Sequence, residues 1–409
     1  MASPPAGPKP CLPEAPAPAL KLTDDLLAHI LLRLPVSTNR AQHINDAGPL
    51  ALTLPTAADL GRASAACPTF RRVIADHAFL RRFRALHPPP LLGVVTDKFI
   101  RAQPPHPSAA AARAFEDAAD FSCSFLPSHD SDPPGYYDRF VLVKEFAVCD
   151  PLHRRYLLLP TIPDDLTTLV DWRVRFQAFL APSSEEEHEV STSFRVICLA
   201  EGETKLVFFT FSPDGGQWHG VEFDGWSALT AEPGNSFWSP ELDGRYYVHK
   251  CFCWVMPYRN KLLMLNACTM VFSTIDIPPA HPVGKRAIVE ATEGMFGIFT
   301  PCFDREHRAY NLSYTVLRHD DQGANQWQPE TIQLPRNYLY NIVGVAGGYL
   351  MLVGTPLDPL GNPIIGPNRN CYSLNLKTFQ IEWFCGSRCL LEDVPLYAGF
   401  APSLSPPTI

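Results

Sequence analysis

Residues 205–223, KLVFFTFSPDGGQWHGVEF, contain two apolar runs joined by the turn Pro213-Asp214-Gly215-Gly216. Valine, phenylalanine and tryptophan favour extended strands, and proline, aspartate and glycine favour a tight reversal of the chain. The stretch therefore predicts a strand, a turn and a second strand. Related phrases recur at 147–163, 261–279, 314–335 and 370–384.

These phrases form a loose repeat with a period of about 45 residues, which is typical of propeller blades. About 270 residues at this period predict six blades, and seven if residues 91–126 also contribute strands. A further apolar run at Phe140–Val143 predicts another strand. The alternative is a pair of β-sandwiches, since short strands separated by turns are common to both architectures. We expect a mainly β fold with a small α head.

Proline makes up 42 of the 409 residues. Its ring fixes φ and removes a hydrogen-bond donor, so this content argues against long helices and against a large parallel sheet. Seven of the first twenty residues are proline, which predicts a disordered tail over residues 1–20. Many of the other prolines fall where a predicted strand pair ends.

Residues 21–90 have a helical pattern. Thr23 can cap a first helix, in which Leu26, Ile30 and Leu34 form one apolar stripe before Pro35 ends it. Further helix starts are predicted at Thr56, Pro68 and Asp76. Helices this short are unstable alone and must pack on one another or on a partner.

The order of these features resembles an F-box of the kind that opens a large family of plant F-box proteins, especially those of grasses. The resemblance rests on DDLLAHILLRLP at 24–35 and on ADLGRASAACPTFRRVIADHAFLRRFRALHPPPLLG at 58–93. CDPLHRRYLLLPTIPDDL at 149–166 and YSLNLKTFQIEWF at 372–384 are similar to the propeller-like region of the same family. The resemblance implies a three-helix F-box over 21–90 and an F-box-associated β-propeller over 91–409.

F-boxes of this family bind the Skp-type adaptor of SCF ubiquitin ligases, and through it a cullin. Matched by position, the residues that the resemblance places against the adaptor are Leu22, Leu26, Leu27, Ile30, Leu31, Leu34, Pro35, Leu60, Cys67 and Phe70. The sequence departs from the pattern in having Leu22-Thr23 for the usual Leu-Pro, Phe70 for the usual tryptophan, and a long insertion at 36–55. Lengthening a loop costs little stability, about 0.6 kcal/mol per doubling, but it can misplace the following helix.

The resemblance implies a non-catalytic subunit that holds a target protein near the ubiquitin-conjugating enzyme. Two alternatives stay open. The chain could be a protein-binding module outside a ligase, because the insertion and the departures spoil adaptor binding. It could also be a propeller hydrolase, whose catalytic residues converge from different blades.

Residues with metal or catalytic chemistry are few. His249, Cys251 and Cys253 would share one face of a strand and could bind zinc with a fourth ligand. The surrounding YYVHKCFCWV favours a buried strand, in which cysteine acts as a small apolar residue. Asp164-Asp165 and Asp320-Asp321 are adjacent pairs whose side chains diverge on a strand. We therefore expect no cofactor, no metal and no catalytic residue.

Charge and cysteine content indicate the compartment and exclude some partners. Six arginines cluster within residues 62–84, but the net charge of −8 argues against a face for nucleic acid. Twelve scattered cysteines suit reduced thiols better than a disulfide framework. Neither a secretory leader nor a membrane span is expected, so we predict a cytoplasmic or nuclear location.

Overall fold

The structure of the chain is a computed structural model. It describes residues 57–86, 89–96, 98–127, 146–170, 174–181, 194–230, 242–257, 259–279, 285–291, 294–304, 306–319, 325–364, 366, 368–388, 391 and 394–399. The chain divides into two compact units, Met1–His87 and Pro88–Ile409. This boundary lies within three residues of the predicted one. The predicted tail and the predicted strand Phe140–Val143 lie outside the described residues.

The described part of the first unit is helical. Its helices are α1 (Ala57–Ala66), α2 (Pro68–Ile74) and α3 (His77–Leu86). Pro68 opens α2, where its missing N–H costs nothing, and Asp76 Oδ1 accepts the backbone N–H of Phe79 at the start of α3. The predicted starts of the second, third and fourth helices are confirmed. Leu60, Val73, Ile74, Phe79, Leu80 and Phe83 are buried.

The second unit is built from short antiparallel strands. They are β1 (Leu91–Val95), β2 (Phe99–Arg101), β3 (Ala147–Asp150), β4 (Arg155–Leu158), β5 (Val174–Ala181), β6 (Arg195–Gly202), β7 (Leu206–Phe211), β8 (Trp218–Glu222), β9 (Asp243–Val248), β10 (Cys251–Met256), β11 (Lys261–Asn266), β12 (Phe272–Asp276), β13 (Ala287–Glu290), β14 (Phe296–Asp304), β15 (Ala309–His319), β16 (Asn325–Gln333), β17 (Tyr338–Ala346), β18 (Tyr349–Pro356), β19 (Arg369–Asn375), β20 (Ile381–Ser387) and β21 (Leu396–Ala398).

The strands form four meanders in chain order: sheet 1 (β5–β8), sheet 2 (β9–β12), sheet 3 (β13–β16) and sheet 4 (β17–β20). A closing sheet has the order β2–β1–β21, and β3 and β4 form a two-stranded hairpin. Neighbouring sheets contact one another through edge strands: β9 of sheet 2 with β13 of sheet 3, β13 with β17 of sheet 4, and β17 with β21 of the closing sheet. The four meanders and the closing sheet thus make a five-bladed β-propeller arrangement.

Apolar side chains fill the space between neighbouring sheets. Sheets 1 and 2 share a cluster around Phe208, Trp254 and Leu263. Sheets 2, 3 and 4 share a second one, and sheet 4 packs on the closing sheet through a third. Strands that are buried on both faces read as continuous apolar runs, which explains why the repeat is visible in the sequence.

The closing sheet joins the two ends of the β unit. β21 pairs antiparallel with β1, with Val94 opposite Leu396. The backbone N–H of Val95 donates to Pro395 O (2.9 Å), and that of Gly399 donates to Pro90 O (3.1 Å). These bonds pair the backbone groups along one edge of β1, which would otherwise be open for pairing with another chain.

Among the described residues of the second unit, three helices interrupt the strands: α4 (Ala109–Ala118), α5 (Asp164–Thr167) and α6 (Trp226–Thr230). Helix α4 packs on β1 and β2 and buries Ala112 and Phe115. For the α4 region, residues 91–126, the repeat predicts strands only. Its alanine-rich stretch has helical propensity, which the strand-based repeat did not take into account.

The mainly β prediction is confirmed, with strands where the apolar runs of the described repeats predicted them. The predicted count of six to seven blades is not confirmed. The sheets pack in series instead of forming two facing pairs, so the β-sandwich alternative does not describe the arrangement. Within the described part of the chain, every helix is too short or too polar to cross a membrane.

The contact between Gly347 and the closing sheet gives a test of the packing of sheet 4 against that sheet. Gly347 has φ +59°, and an added Cβ would collide with the backbone oxygen of Pro89. Gly216 has nearly the same φ, +63°, but open space around it. We expect Gly216→Ala to cost about 1 kcal/mol from backbone strain alone. We expect Gly347→Ala to cost more than about 2 kcal/mol, because overpacking adds to the strain.

Urea unfolding of the two variants and the wild type measures both costs. Equal losses for Gly347→Ala and Gly216→Ala would contradict the tight approach of the β17–β18 turn to the closing sheet.

Candidate functional site

The described part of the helical unit contains three of the predicted adaptor-binding residues, Leu60, Cys67 and Phe70. Leu60 is completely buried, so its side chain belongs to the packing of the helical unit. Cys67 and Phe70 are half-buried and keep part of their surface accessible. The other predicted positions, Leu22, Leu26, Leu27, Ile30, Leu31, Leu34 and Pro35, lie outside the described residues.

Cys67 lies immediately before α2. The backbone N–H groups of Phe70 and Thr69 point at its sulfur and lower the pKa of the Cys67 thiol. Arg71 and Arg72 are exposed on the same helix, and Arg71 Nε donates to Ser64 O (3.3 Å). A contact surface here would combine a thiol, an aromatic ring and guanidinium groups.

The sequence-predicted His249–Cys251–Cys253 set does not come together as ligands. His249 and Lys250 have φ of +49° and +62°, so they form the turn between β9 and β10, and the strand alternation is broken. The His249 ring bonds Met295 O (2.9 Å) and lies 3.0 Å from the Glu290 carboxylate. Cys253 is completely buried, which raises the pKa of its thiol. In the described residues no group of three or more His, Cys, Asp or Glu could hold a metal ion.

One buried polar pair, missed by the sequence analysis, has the residue types of a hydrolase. His106 Nε2 lies 2.9 Å from Ser373 Oγ, and the Glu382 carboxylate is 3.8 Å from the same nitrogen. The backbone N–H of Ser108 donates to His106 Nδ1 (3.1 Å). The ring proton is therefore assigned to Nε2, which donates to Ser373 instead of accepting its proton. Ser373 is also completely buried, so this pair cannot act as a nucleophile and its base.

An open apolar pocket lies between the loops of sheets 3 and 4. Its volume is about 480 Å³, within the range of ligand sites. Phe303 and Arg308 border the β14–β15 turn, and Leu357, Leu360 and Gly361 belong to the connection between β18 and β19. We call these five residues the loop pocket.

The loop pocket exposes large apolar side chains. Leu360 is 77% exposed, and Phe303 is 49% exposed. Ile364, which follows four residues after Leu360 on the same connection, is 50% exposed. Neighbouring exposed apolar residues are typical of an interaction surface, whereas isolated ones are ordinary.

The connection that carries Leu360 is held in place by its own hydrogen bonds. Asp358 Oδ1 accepts the backbone N–H groups of Leu360 (2.8 Å) and Asn362 (2.8 Å). Arg308 Nη2 donates to Leu360 O (3.2 Å), and Leu357 forms a bridge with Pro363. A stiff loop loses little conformational entropy when a partner binds.

The acidic groups beside the loop pocket are engaged locally. His307 donates to Asp304 through its ring (2.7 Å) and its backbone N–H, and these bonds lower the pKa of Asp304. Hydrogen bonds from Asn362 lower the pKa of Asp358 in the same way. Arg308 is exposed, and its hydrogen bond to Leu360 O uses one of its five N–H donors. The loop pocket therefore combines apolar surface with one accessible cation and, beside it, the ionised carboxylates of Asp304 and Asp358.

The loop pocket cannot be predicted from the sequence, because its members are far apart in the chain and lie in turns or at strand ends. The phrase Asp358-Pro359-Leu360-Gly361 predicts a turn by composition. Nothing in the sequence places that turn beside the one that contains Arg308.

Comparisons with known proteins add little. No protein-family model matches the chain, and no curated protein matches it. Among solved structures, the crystal structure of the N-terminal domain of Nup159 is similar, with 12% identity and a TM-score of 0.25. The similarity covers 52% of this chain and 47% of that one. At this identity and TM-score it carries no argument about function.

His106 provides a pH-dependent test of the buried pair. Burial lowers the pKa of His106 from 6.5 to about 4, because its charged form loses solvation. Between these values the unfolded chain binds the proton and the folded chain does not, so stability falls as the pH is lowered. By pH 4 we expect a loss of about 3 kcal/mol from this group.

Urea unfolding from pH 7.5 to pH 4, for the wild type and for His106→Gln, measures this effect. The wild type should lose about 3 kcal/mol more than the variant over that range. Parallel pH profiles for the two proteins would contradict the assignment of a neutral, buried imidazole.

Proposed function

We propose that this chain is a substrate-recognition subunit of an SCF-type ubiquitin ligase. Its helical unit binds a Skp-type adaptor, which links it to a cullin, and its β unit binds a target protein. The chain itself carries out no chemistry and needs no cofactor. It acts in the cytoplasm or the nucleus, with protein partners instead of nucleic acid or membrane.

The observation that carries the proposal is the order of elements. Helices α1, α2 and α3 begin near Thr56, at Pro68 and just after Asp76, where the F-box-like pattern places them. They precede a β-propeller arrangement, as the resemblance implies. Helices of seven to ten residues need packing partners, and the half-buried Phe70 keeps part of its surface for one.

The β unit supports the second half of the proposal. A rigid sheet scaffold that displays variable loops is a common way to build a binding surface. We propose that the hairpin β3–β4 belongs to a sixth blade, which would bring the arrangement to the lower of the predicted counts. The exposed loops at one end of the sheets would then face the target.

The mechanism is proximity. Holding a target lysine near the charged ubiquitin-conjugating enzyme raises its effective concentration, so an encounter between two molecules becomes a step within one complex. Aliphatic anchors on an amphipathic helix, laid in a groove of the adaptor, would provide the attachment.

Substitution of the anchors tests this attachment. We expect Leu34→Asp and Ile30→Asp to abolish adaptor binding, because a charge in a desolvated groove is left unpaired. Co-expression of the full chain with a Skp-type adaptor, followed by affinity purification, measures binding. Leu360→Asp makes the same chemical change at an exposed leucine of the β unit and serves as the matched control.

Circular dichroism of each variant should show an unchanged β signal. If the adaptor co-purifies with Leu34→Asp as well as it does with the wild type, the proposal that the helical unit binds the adaptor as an F-box is overturned. Absence of adaptor from the wild-type preparation would favour a binding module outside a ligase.

A further inference from the structure

We propose that Cys123 and Cys149 form a redox-sensitive pair in the β unit. Oxidised glutathione, or another small disulfide of the same class, converts the two thiols into an intramolecular disulfide. The bond ties the β3–β4 hairpin to the segment that follows α4. The inference concerns the β unit alone and does not rest on the binding of an adaptor or a target.

Contacts on one face of the hairpin bring the two cysteines together. Cys149 lies directly opposite Tyr156 in the β3–β4 ladder, and opposite residues of an antiparallel pair have their side chains on the same face. The ring centroid of Phe125 lies 6.4 Å from that of Tyr156, so the segment after α4 lies over this face. In that segment, the Cys123 thiol is hydrogen-bonded to the Cys149 thiol. Sulfurs within hydrogen-bond reach need only a small approach to form an S–S bond of about 2.05 Å.

Further contacts hold the backbone on both sides of the cysteine pair. The backbone N–H of Asp120 donates to Pro151 O (2.8 Å), and the Asp120 carboxylate lies 3.9 Å from Arg154 Nε. The backbone N–H of Leu126 donates to Cys123 O (2.9 Å). Each thiol is therefore at a high effective concentration beside the other, which favours the intramolecular disulfide over separate mixed disulfides with glutathione.

Solvent access distinguishes this pair from another cysteine pair in the β unit. Cys371 and Cys385 are directly opposite each other on β19 and β20, but both are completely buried, so an oxidant cannot reach them in the folded chain. Cys123 and Cys149 are half-buried and keep accessible surface. All four are free thiols in the structure, so the buried pair provides an internal control for access.

The reaction consists of two successive thiol–disulfide exchanges. The thiolate of one cysteine attacks a sulfur of oxidised glutathione, which forms a mixed disulfide and releases one glutathione thiolate. The thiolate of the second cysteine attacks the protein sulfur of the mixed disulfide and releases the second glutathione. The two protein thiols lose two electrons and two protons, which reduce one glutathione disulfide to two glutathione thiols. Burial raises the pKa of both cysteines, so the exchange should become faster as the pH rises.

The disulfide would fix a hairpin whose backbone has few other partners. In the described part of the chain, β3 and β4 pair only with each other, and a two-stranded hairpin is marginally stable in water. The four residues of β4 are exposed. The segment that carries Cys123 also contains Phe121, which packs on the apolar cluster of the closing sheet. A covalent link to this segment would therefore anchor the hairpin to the closing sheet.

Equilibration in glutathione buffers tests the proposal. The full chain, without adaptor, is held at a series of [GSH]²/[GSSG] values, and its free thiols are then blocked with N-ethylmaleimide in urea. Trypsin cleavage after Arg139 and Lys144 places the two cysteines in separate peptides, so mass spectrometry identifies the bond from a linked peptide pair. The variant Cys149→Ser removes one partner, and Cys268→Ser makes the same change at an exposed thiol as the matched control.

We expect the Cys123–Cys149 link in the wild type and in Cys268→Ser, and its absence in Cys149→Ser. Cys371 and Cys385 should stay reduced in the folded chain. The value of [GSH]²/[GSSG] at half-oxidation should be about tenfold or more higher for the folded chain than for the chain in concentrated urea, because the fold holds the thiols together. Hydrogen exchange of the β3–β4 amides should slow on oxidation of the wild type and stay unchanged in Cys149→Ser.

Mixed glutathione disulfides at both cysteines without the link would overturn the proposal. Equal half-oxidation values for the folded and unfolded chains would overturn it as well, and so would a link to Cys268 at comparable yield, because the fold would then not select the pair. Matching circular dichroism spectra of the reduced proteins will check that each variant folds. Because the adaptor is omitted, these outcomes are independent of whether the helical unit binds one.

Discussion

The antiparallel pairing of β1 with β21 joins residues from opposite ends of the β unit into the closing sheet, and the packing of sheet 4 against that sheet depends on it. Closing so long a chain segment is entropically costly and slow, because the contact brings together residues far apart in sequence. The packing around the pair offsets that cost. Phe99 stacks on Phe121 with centroids 4.4 Å apart, and Phe115 lies 4.8 Å from Tyr397. With the ends joined, sheet 4 has a neighbour against which to bury one of its apolar faces.

The same packing positions the loops that carry the candidate site. Sheets 3 and 4 share an apolar cluster that contains Phe299, Tyr340 and Tyr372, so the two sheets are held together by buried rings. Arg308 and Leu360 extend from these sheets at the same end, and their hydrogen bond links the two loops. The packing of the core therefore sets the positions of the two loops, whereas the side chains of the loop residues provide the chemistry of the loop pocket.

Polar side chains inside the β unit join separate segments of the chain through hydrogen bonds. The His106–Ser373 pair connects the segment after β2 with β19. Between sheets 1 and 2, Glu201 accepts the backbone N–H of Leu242 (3.0 Å), and Arg175 donates to Leu242 O (2.6 Å). Such groups have the same residue types as catalytic sites, and only their burial and hydrogen-bond direction distinguish the two roles.

Local chemistry in the sequence determined the helix starts at Pro68 and Asp76, the strands of the described repeats and the mainly β class, because capping, turn residues and apolar periodicity act over a few neighbours. It predicted the exposed turns as well, but not which turns adjoin. The tertiary structure alone decided that β21 closes on β1, that His249 lies in a turn away from Cys253, and that Arg308 meets Leu360. These are contacts between residues distant in sequence, and their partners are selected by the packing of whole sheets, which no local pattern encodes.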